Sequence, residues 1–515
     1  MKRLLISLIA IALCCTTLSA QQTRRKVLKK FDRVLELIED NYVEDKPLEP
    51  MVEEAIRATL RSLDPHSQYL TKEEMKAANR RLRGKFAGIG IQYIIHNDTL
   101  VVSSVIEGSP AQEAGITYLD RILAVDNNTI IGCQTDSISS LMHGDAGSKI
   151  SLTLLSSGND NPTTINLKRA NIRTSAVVAL RIDSVGYIAI STFTKSVASE
   201  FYKAYTELGD VKSLVVDLRD NGGGYLSAAI DLSSLFLSKR DVILITENSK
   251  RQKVYDTRNE GVLRDLPLVV VINESTASAS EIFAGAIQDH DRGTIIGRTS
   301  FGKGLIQKNI EFNDGSGVRI TTERYMTPSG RPIQRPYTAG KNVAYLRDSS
   351  RYMHPDSIHR DTTHIYRTLK LGREVYGSGG ITPDIYIGAD STKLSKCVRE
   401  SLLNSIFEHC AVEFFRVESM ERIREEHPTM YSFNEEYTLS PELWDILYRI
   451  GGYGAEDITE TDRHYLETML YATLAEKLYG IEARYYINIS RFDSIAQQAI
   501  AIAEESIAEG VSNEK

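Results

Sequence analysis

Ser278 and Lys303, twenty-five positions apart, are the side chains best placed by their neighbours to do covalent chemistry. Ser278 lies in Asn273-Glu274-Ser275-Thr276-Ala277-Ser278-Ala279-Ser280-Glu281, between the apolar run Leu268–Ile272 and a helical stretch over 279–288. A serine at a strand-to-helix junction emerges at the sheet edge, where the first helix amides stabilise negative charge. An acyl-transfer nucleophile belongs there. The alternative is that these hydroxyls only cap the helix, the better reading for Ser280, which Glu281 follows. Lys303 is flanked by Gly302 and Gly304, and a strand over Thr294–Ile296 can return it to the same edge. A serine hydroxyl needs a base at neutral pH. A lysine serves only if desolvation takes its pKa well below ~10.4; otherwise it is an exposed loop residue. A third piece, Asp217-Leu218-Arg219-Asp220-Asn221-Gly222-Gly223-Gly224, follows the apolar run Leu214–Leu218. Three glycines bare backbone N–H groups that can hold an oxyanion, or simply make a tight turn.

Other chemistries fit less well. Gly297 to Lys303 matches G-x-x-x-x-G-K, but Gly304 stands where a phosphate loop needs Ser or Thr, and Leu305–Phe312 reads as a strand rather than a helix. A Ser-His-Asp triad would need His290, twelve residues after Ser278 and about 18 Å away along one helix. No G-x-S-x-G elbow occurs. His354, His359 and His364 lie in a polar stretch and read as solvated loop histidines. No C-x-x-C occurs, so a thiolate metal site is disfavoured, and neither metal nor organic cofactor is expected. The net charge of −7 offers no basic field for nucleic acid.

The elements that must position these residues follow from the pattern. Of 515 residues, 42% are hydrophobic and 25% charged, the profile of a globular protein of several domains. Residues 1–20 have the layout of a cleaved signal peptide: Lys2 and Arg3, an apolar run from Leu4 to Leu13, and Ala20 before Gln21. A secreted or periplasmic location is expected, with membrane contact only if the signal stays uncleaved. Cys133, Cys397 and Cys410 then remain, too few for a disulfide framework, although Cys397 and Cys410 could pair. Apolar spacings predict helices over 25–43 and 49–62, and Thr71 with Glu74 forms a capping box for a third helix near Lys72. Residues 21–84 thus read as a helical unit and 85–170 as a β-rich module. From 171 to 336, the runs Tyr187–Ser191, Leu214–Leu218, Val242–Ile245 and Leu268–Ile272 alternate with helical stretches, as strands of one layered α/β core. Residues 337–390 form a polar insertion and a return to the core, and 391–515 are mostly helical. The fold class is α/β (α+β) multidomain.

Together these residues resemble the carboxyl-terminal processing proteases, secreted serine peptidases of family S41 with a Ser–Lys dyad and an inserted PDZ domain. The resemblance is carried by the string from Ser275 through Gln307, by Ser62-Leu63-Asp64-Pro65-His66-Ser67, and by Gly379-Gly380-Ile381-Thr382-Pro383-Asp384. It implies Ser278 as nucleophile, Lys303 as general base, and Gln307 orienting the lysine amine. Asp289 matches an acidic position of the family, catalytic or structural. The amide of Ala279 and that of one glycine in Gly222–Gly224, Gly224 before the others, would hold the oxyanion. Gly88, Ile89, Gly90 and Ile91 match the PDZ loop that captures a substrate's terminal carboxylate. The implied substrates are proteins or peptides entering by their C-termini, with the PDZ module gating the site. The helical regions are candidates for homo-oligomer contacts. The rival reading is a non-catalytic PDZ scaffold or chaperone on a decayed protease core.

Overall fold

The computed structural model describes residues 25–83, 85–338, 340, 345–346, 364–388 and 395–513. The expected signal peptide, and His354 and His359, lie outside the described residues.

The core is a six-stranded sheet in the order Val177–Ile182, Val185–Ile190, Ser213–Asp217, Leu268–Ile272, Thr294–Gly297, Ile385–Tyr386. The first pair is antiparallel and every later pair parallel. Side chains alternate across a strand, so Leu214 and Val216 face one side and Val215 the other. On the first side they join Leu268, Val270 and Ile272 and pack against Phe201, Leu232, Ile282 and Phe283 of the intervening helices. On the second, Val215, Val269 and Val271 pack against Ile495, Ala496, Ala499 and Ala503 of the last helix, Ser494–Asn513. Strands covered on both faces read as unbroken apolar runs. The last helix is therefore the second outer layer of this core.

One expected core strand lies elsewhere. Val242–Glu247 belongs to a separate five-stranded sheet with Gln252–Asp256, Gly317–Met326, Leu305–Glu311 and Gln68–Leu70. Its apolar run reported burial, which two different sheets supply equally. The strand Gln68–Leu70 ties the N-terminal unit into this sheet by pairing with Gly317–Arg319. The helices before it, 25–41 and Leu48–Arg61, and the one after it, Lys72–Arg83, stand where the spacing predicts.

The β-rich module is an antiparallel sheet ordered Ile91–His96, Thr99–Val105, Arg121–Val125, Lys149–Leu155, Thr163–Lys168. The helix Thr135–Met142 packs Ile138 and Met142 into its core with Leu100, Ile122, Val125 and Leu152. It joins the chain through a two-stranded stem, Lys85–Gly88 against Ala170–Arg173. The module also rests on the helical tail: Val101 and Leu119 join the core of Phe407, Phe414 and Phe415. At that seam His96 Nδ1 lies 2.8 Å from His409 Nδ1, and His96 Nε2 lies 2.9 Å from Glu413. Cys133, Cys397 and Cys410 are all free thiols, so the Cys397–Cys410 pairing does not form.

Candidate active site

Three loops meet at one end of the parallel sheet. The first leaves strand Ser213–Asp217 and carries the glycines; the second leaves Leu268–Ile272 and ends at Ser278; the third leaves Thr294–Gly297 and carries Lys303. Buried polar groups lace them together. Thr276 Oγ1 donates to the Leu218 carbonyl at 2.8 Å. Asp220 N–H donates to Asn273 Oδ1, and Asn273 Nδ2 back to Asp220 Oδ1, each at 3.0 Å. The Asn221 carbonyl accepts from Ala277 N–H and from Ser280 Oγ, both at 3.0 Å. Phe301 N–H donates to the Thr276 carbonyl at 2.8 Å, bringing in the lysine loop.

Ser278 is the N-cap of the helix Ala279–Asp289, with φ 59° and ψ −113°. That conformation is sparsely populated for a residue with a Cβ, and such strain persists only where surroundings impose it. Here Glu281 imposes it. The Ser278 N–H donates to Glu281 Oε2 at 2.8 Å, and the Lys303 N–H donates to the same oxygen, also at 2.8 Å. The two backbone nitrogens are therefore no more than twice that distance apart. Glu281 Oε1 accepts from Ser300 Oγ at 2.5 Å and from Gly302 N–H at 2.6 Å. The carboxyl is wholly buried. Burial pushes its pKa up, and the four donors pull it back. Ser280, expected as a cap, sits one residue inside the helix and holds the glycine loop instead.

Lys303 is drawn down to about 8, first by burial, then by the Arg319 charge, with Glu281 and Asp64 opposing. The Asp64-Pro65-His66-Ser67 segment packs on this side. Asp64 Oδ1 accepts from the N–H groups of His66 and Ser67 at 2.8 Å. His66 is lowered to about 4 by burial and by Lys303, and its buried Nε2 has no hydrogen-bond partner among the described residues. Among the described residues Ser278 Oγ and Lys303 Nζ do not bond each other; it is their backbones that Glu281 brings together. Catalytic hydrogen bonds often close only with substrate in place.

The glycine loop abuts the serine. A Cβ on Gly223 (φ +94°) would lie 2.8 Å from Ser278 Cβ and 2.9 Å from Ala279 N, so only glycine fits. Gly223 N–H is committed to Asn221 Oδ1 at 2.9 Å. The N–H groups of Gly224 and Ala279 have no acceptor among the described residues.

Gln307 does not bond Lys303 here, and of the two readings open for Asp289 the arrangement fits the structural one. Gln307 Nε2 donates to the Leu305 carbonyl at 3.2 Å and to Thr321 Oγ1 at 3.4 Å, not to Lys303. Its strand, Leu305–Glu311, shifts register between Ile306 and Gln307, and that sets the side chain on Thr321. Asp289 ends the eleven-residue helix that Ser278 begins, roughly 16 Å away. It pairs with Arg331 at 2.8 Å, both side chains fully buried, and accepts from Ser329 N–H at 2.9 Å. It braces the far end of the helix. Conversely, Glu281 received no catalytic-site role from sequence, although Ser278-x-x-Glu281 is a capping-box spacing that could have flagged it.

In the β-rich module, Gly90 (φ +88°) leaves no room for a Cβ beside Ser109, at 2.2 Å. The carbonyls of Ile89 and Gly90 accept from Ala111 and Ile106, each at 2.9 Å, while their own N–H groups donate to no described residue. The edge strand Ile91–His96 follows directly.

Residues 184–340 match the model of peptidase family S41, and residues 87–168 match that of the PDZ domain. Fold and site thus define a serine peptidase core with an inserted PDZ domain. The chain is 36% identical over 336 residues to the carboxy-terminal-processing protease of Bartonella bacilliformis, spanning 64% of this chain and 77% of that protein. It is 29% identical over 362 residues to a probable CtpA-like serine protease of Staphylococcus haemolyticus, spanning 68% and 73%. Among solved structures it is similar to the photosystem II D1 C-terminal processing protease, at 28% identity over 69% of this chain and 87% of that one, with a TM-score of 0.36. The chain belongs to the carboxy-terminal-processing serine peptidases of family S41.

Proposed function

We propose that this peptidase works through a Ser278–Lys303 dyad and an acyl-enzyme. The observation that carries the reading is the convergence of the Ser278 and Lys303 backbones on one Glu281 oxygen. Neutral Lys303 Nζ accepts the Ser278 hydroxyl proton as Oγ bonds to the substrate carbonyl carbon. The N–H groups of Ala279 and Gly224 hold the oxyanion. The C–N bond then breaks, and the leaving amine takes the proton from the Lys303 ammonium. Water repeats the sequence and frees the acid. The scaffold alternative gains nothing from this geometry, because Ser278 and Lys303 are both present and their backbone N–H groups meet on one carboxylate oxygen.

The PDZ module, in this reading, takes the substrate's C-terminal carboxylate on the N–H groups of Gly88, Ile89, Gly90 and Ile91, while the edge strand Ile91–His96 pairs with the tail. Gating then requires the module to leave its seat on His409 and Glu413. A peptide with a free carboxylate should be cleaved with a kcat/KM at least tenfold above its C-terminal amide, the difference lying in KM. Equal values would remove carboxylate capture.

Secretion to the periplasm or beyond rests on residues 1–20 alone. Self-association is supported by the helix over 25–41, which leaves Val27, Leu28, Phe31, Val34 and Leu37 exposed along its length. A second copy of this helix is the occupant we propose. Sedimentation equilibrium should show a dimer for residues 21–515 and a monomer for the Phe31→Glu, Leu37→Glu double variant. A monomeric parent protein would end this reading.

A further inference from the structure

The glycine loop is held from behind by the C-terminal helix. Arg219 stands between two carboxylates. Its Nε donates to Asp217 Oδ1 and Oδ2 at 3.1 and 3.0 Å, and Nη2 donates to Asp217 Oδ2 at 2.7 Å. On the other side, Nη1 and Nη2 donate to Asp493 Oδ1 and Oδ2 at 2.9 and 2.6 Å, a paired fork. Arg219 N–H also donates to Asp217 Oδ1 at 2.9 Å, fixing the main chain at the start of the loop. Nη2 reaches the Tyr187 hydroxyl at 3.2 Å as well.

Asp493 is itself fixed. It immediately precedes the helix Ser494–Asn513, and its Oδ1 accepts from Ala496 N–H at 3.0 Å. That helix is seated on the sheet by Ile495, Ala496, Ala499 and Ala503. Two residues after Arg219, Asn221 distributes the position. Its Nδ2 donates to the Ile190 carbonyl at 2.7 Å, its Oδ1 accepts from Gly223, and its carbonyl accepts from Ala277 and Ser280 on either side of Ser278. A chain of charge-assisted and buried hydrogen bonds thus runs from the last helix to both sides of the catalytic notch.

We propose that Asp493 is a positioning residue for catalysis: through Arg219 it sets the Gly222–Gly224 amides against Ser278, which makes the C-terminal helix part of the active site's support. The proposal rests on the reading that Gly224 N–H is an oxyanion donor. A misplacement of about 1 Å at such a donor can cost ~10²-fold in rate.

Asp493→Asn is the informative variant. The amide oxygen can still accept from Ala496 and one Arg219 nitrogen, so the helix start survives. The amide nitrogen, however, faces Arg219 Nη2 donor to donor, and the fork is lost. The experiment measures kcat, KM, the pH midpoint of kcat/KM, and inhibition by a peptide aldehyde, whose adduct with Ser278 places an oxygen in the oxyanion position. We expect kcat to fall ten- to a hundredfold, aldehyde affinity to fall in parallel, and KM and the pH midpoint to hold. Arg219→Lys, which keeps the charge but not the fork, should behave alike. A folded Asp493→Asn enzyme with parental kcat overturns the proposal. So does a variant with lowered kcat but unchanged aldehyde affinity. Glycolic acid in place of Gly224, which removes the N–H and adds no Cβ (one here would lie 2.2 Å from the Phe193 carbonyl oxygen), separates the two readings. If that enzyme folds and loses kcat while Asp493→Asn does not, the oxyanion reading stands and the positioning role falls. If it folds and keeps full kcat, the oxyanion reading fails and takes the proposal with it.

Discussion

Alanine at Lys303 lowers kcat for cleavage of a tailed peptide by at least about 10³-fold and leaves the protein folded. The first half follows from the chemistry. An uncharged amine in place is what makes the serine a nucleophile, and general base catalysis alone supplies roughly 10²–10⁴. The second half follows from the structure. Glu281 binds the backbone N–H of Lys303, not its side chain, so alanine keeps the bond that fixes the loop. The same holds for Ser278→Ala, whose backbone N–H keeps its own bond to Glu281. Because nucleophile and base act as one unit, the double variant should be no slower than the slower single variant. Losses that multiply would mean the two residues work independently, and the dyad would be wrong. The control is a thermal melt, in which both single variants unfold within a few degrees of the parent.

The same lysine fixes the pH dependence. Lys303 titrates near 8, well below an ordinary lysine, chiefly because its charge is buried. Only the neutral amine can take the serine proton, so kcat/KM rises with pH, by a factor of ten per unit well below the midpoint, and levels off above about 9. At pH 7 roughly a tenth of the lysine is neutral. His66, lowered to about 4, is already neutral across this range and adds no second ascending limb. For stability the sign agrees: the unfolded chain keeps the lysine proton to about 10.4 while the folded chain gives it up near 8, so folding gains as pH rises through that interval. A profile flat from pH 6 to 9 would show that no buried lysine acts as the base.

Much of this was legible in the sequence because it is local. A strand, a turn of small residues and a helix bring Ser278 to an edge, and the strand Leu268–Ile272 and helix 197–207 stand where the pattern puts them. Ser109-Pro110 opens a one-turn helix, and the serine side chain caps it. What was not legible depends on long-range pairing. The run Val242–Ile245 shows that a strand is buried, not which sheet receives it. Gln307 lies four residues past the lysine, but a register shift turns it to Thr321. Asp289 shares a helix with Ser278 and so looks close along the chain, although helical rise carries it to the far end. The tail's role depends on Asp493 meeting Arg219 across 274 positions, a contact no spacing rule contains.

Loss of the Glu281 carboxylate should damage fold and rate together, and more than any other substitution outside the dyad. Four donors converge on it: Ser300 Oγ, and the N–H groups of Gly302, Ser278 and Lys303. No water reaches the site to replace a lost acceptor, because the side chain is completely buried. Each stranded buried donor costs about 1–3 kcal/mol. Glu281→Gln is nearly isosteric, yet its amide nitrogen cannot accept: turned to Ser278 and Lys303 it strands two backbone N–H groups, and turned to Ser300 and Gly302 it strands one, because the Ser300 hydroxyl can accept from it. A loss of ~1–3 kcal/mol lowers the melting temperature by several degrees. The effect on rate has a separate cause. With one oxygen gone, either the Ser278–Lys303 link or the Ser300–Gly302 link opens, and Ser278 can relax from its positive φ toward an unstrained cap. Relaxation by an ångström removes the hydroxyl from attack distance, and kcat should fall at least ~10² at temperatures where the variant is still folded. Glu281→Ala strands all four donors and should be less stable again. Melts and single-turnover cleavage measured well below the transition separate the two effects. A Glu281→Gln enzyme with normal melting and normal turnover would mean that packing, not this carboxylate, holds serine and lysine in the same notch.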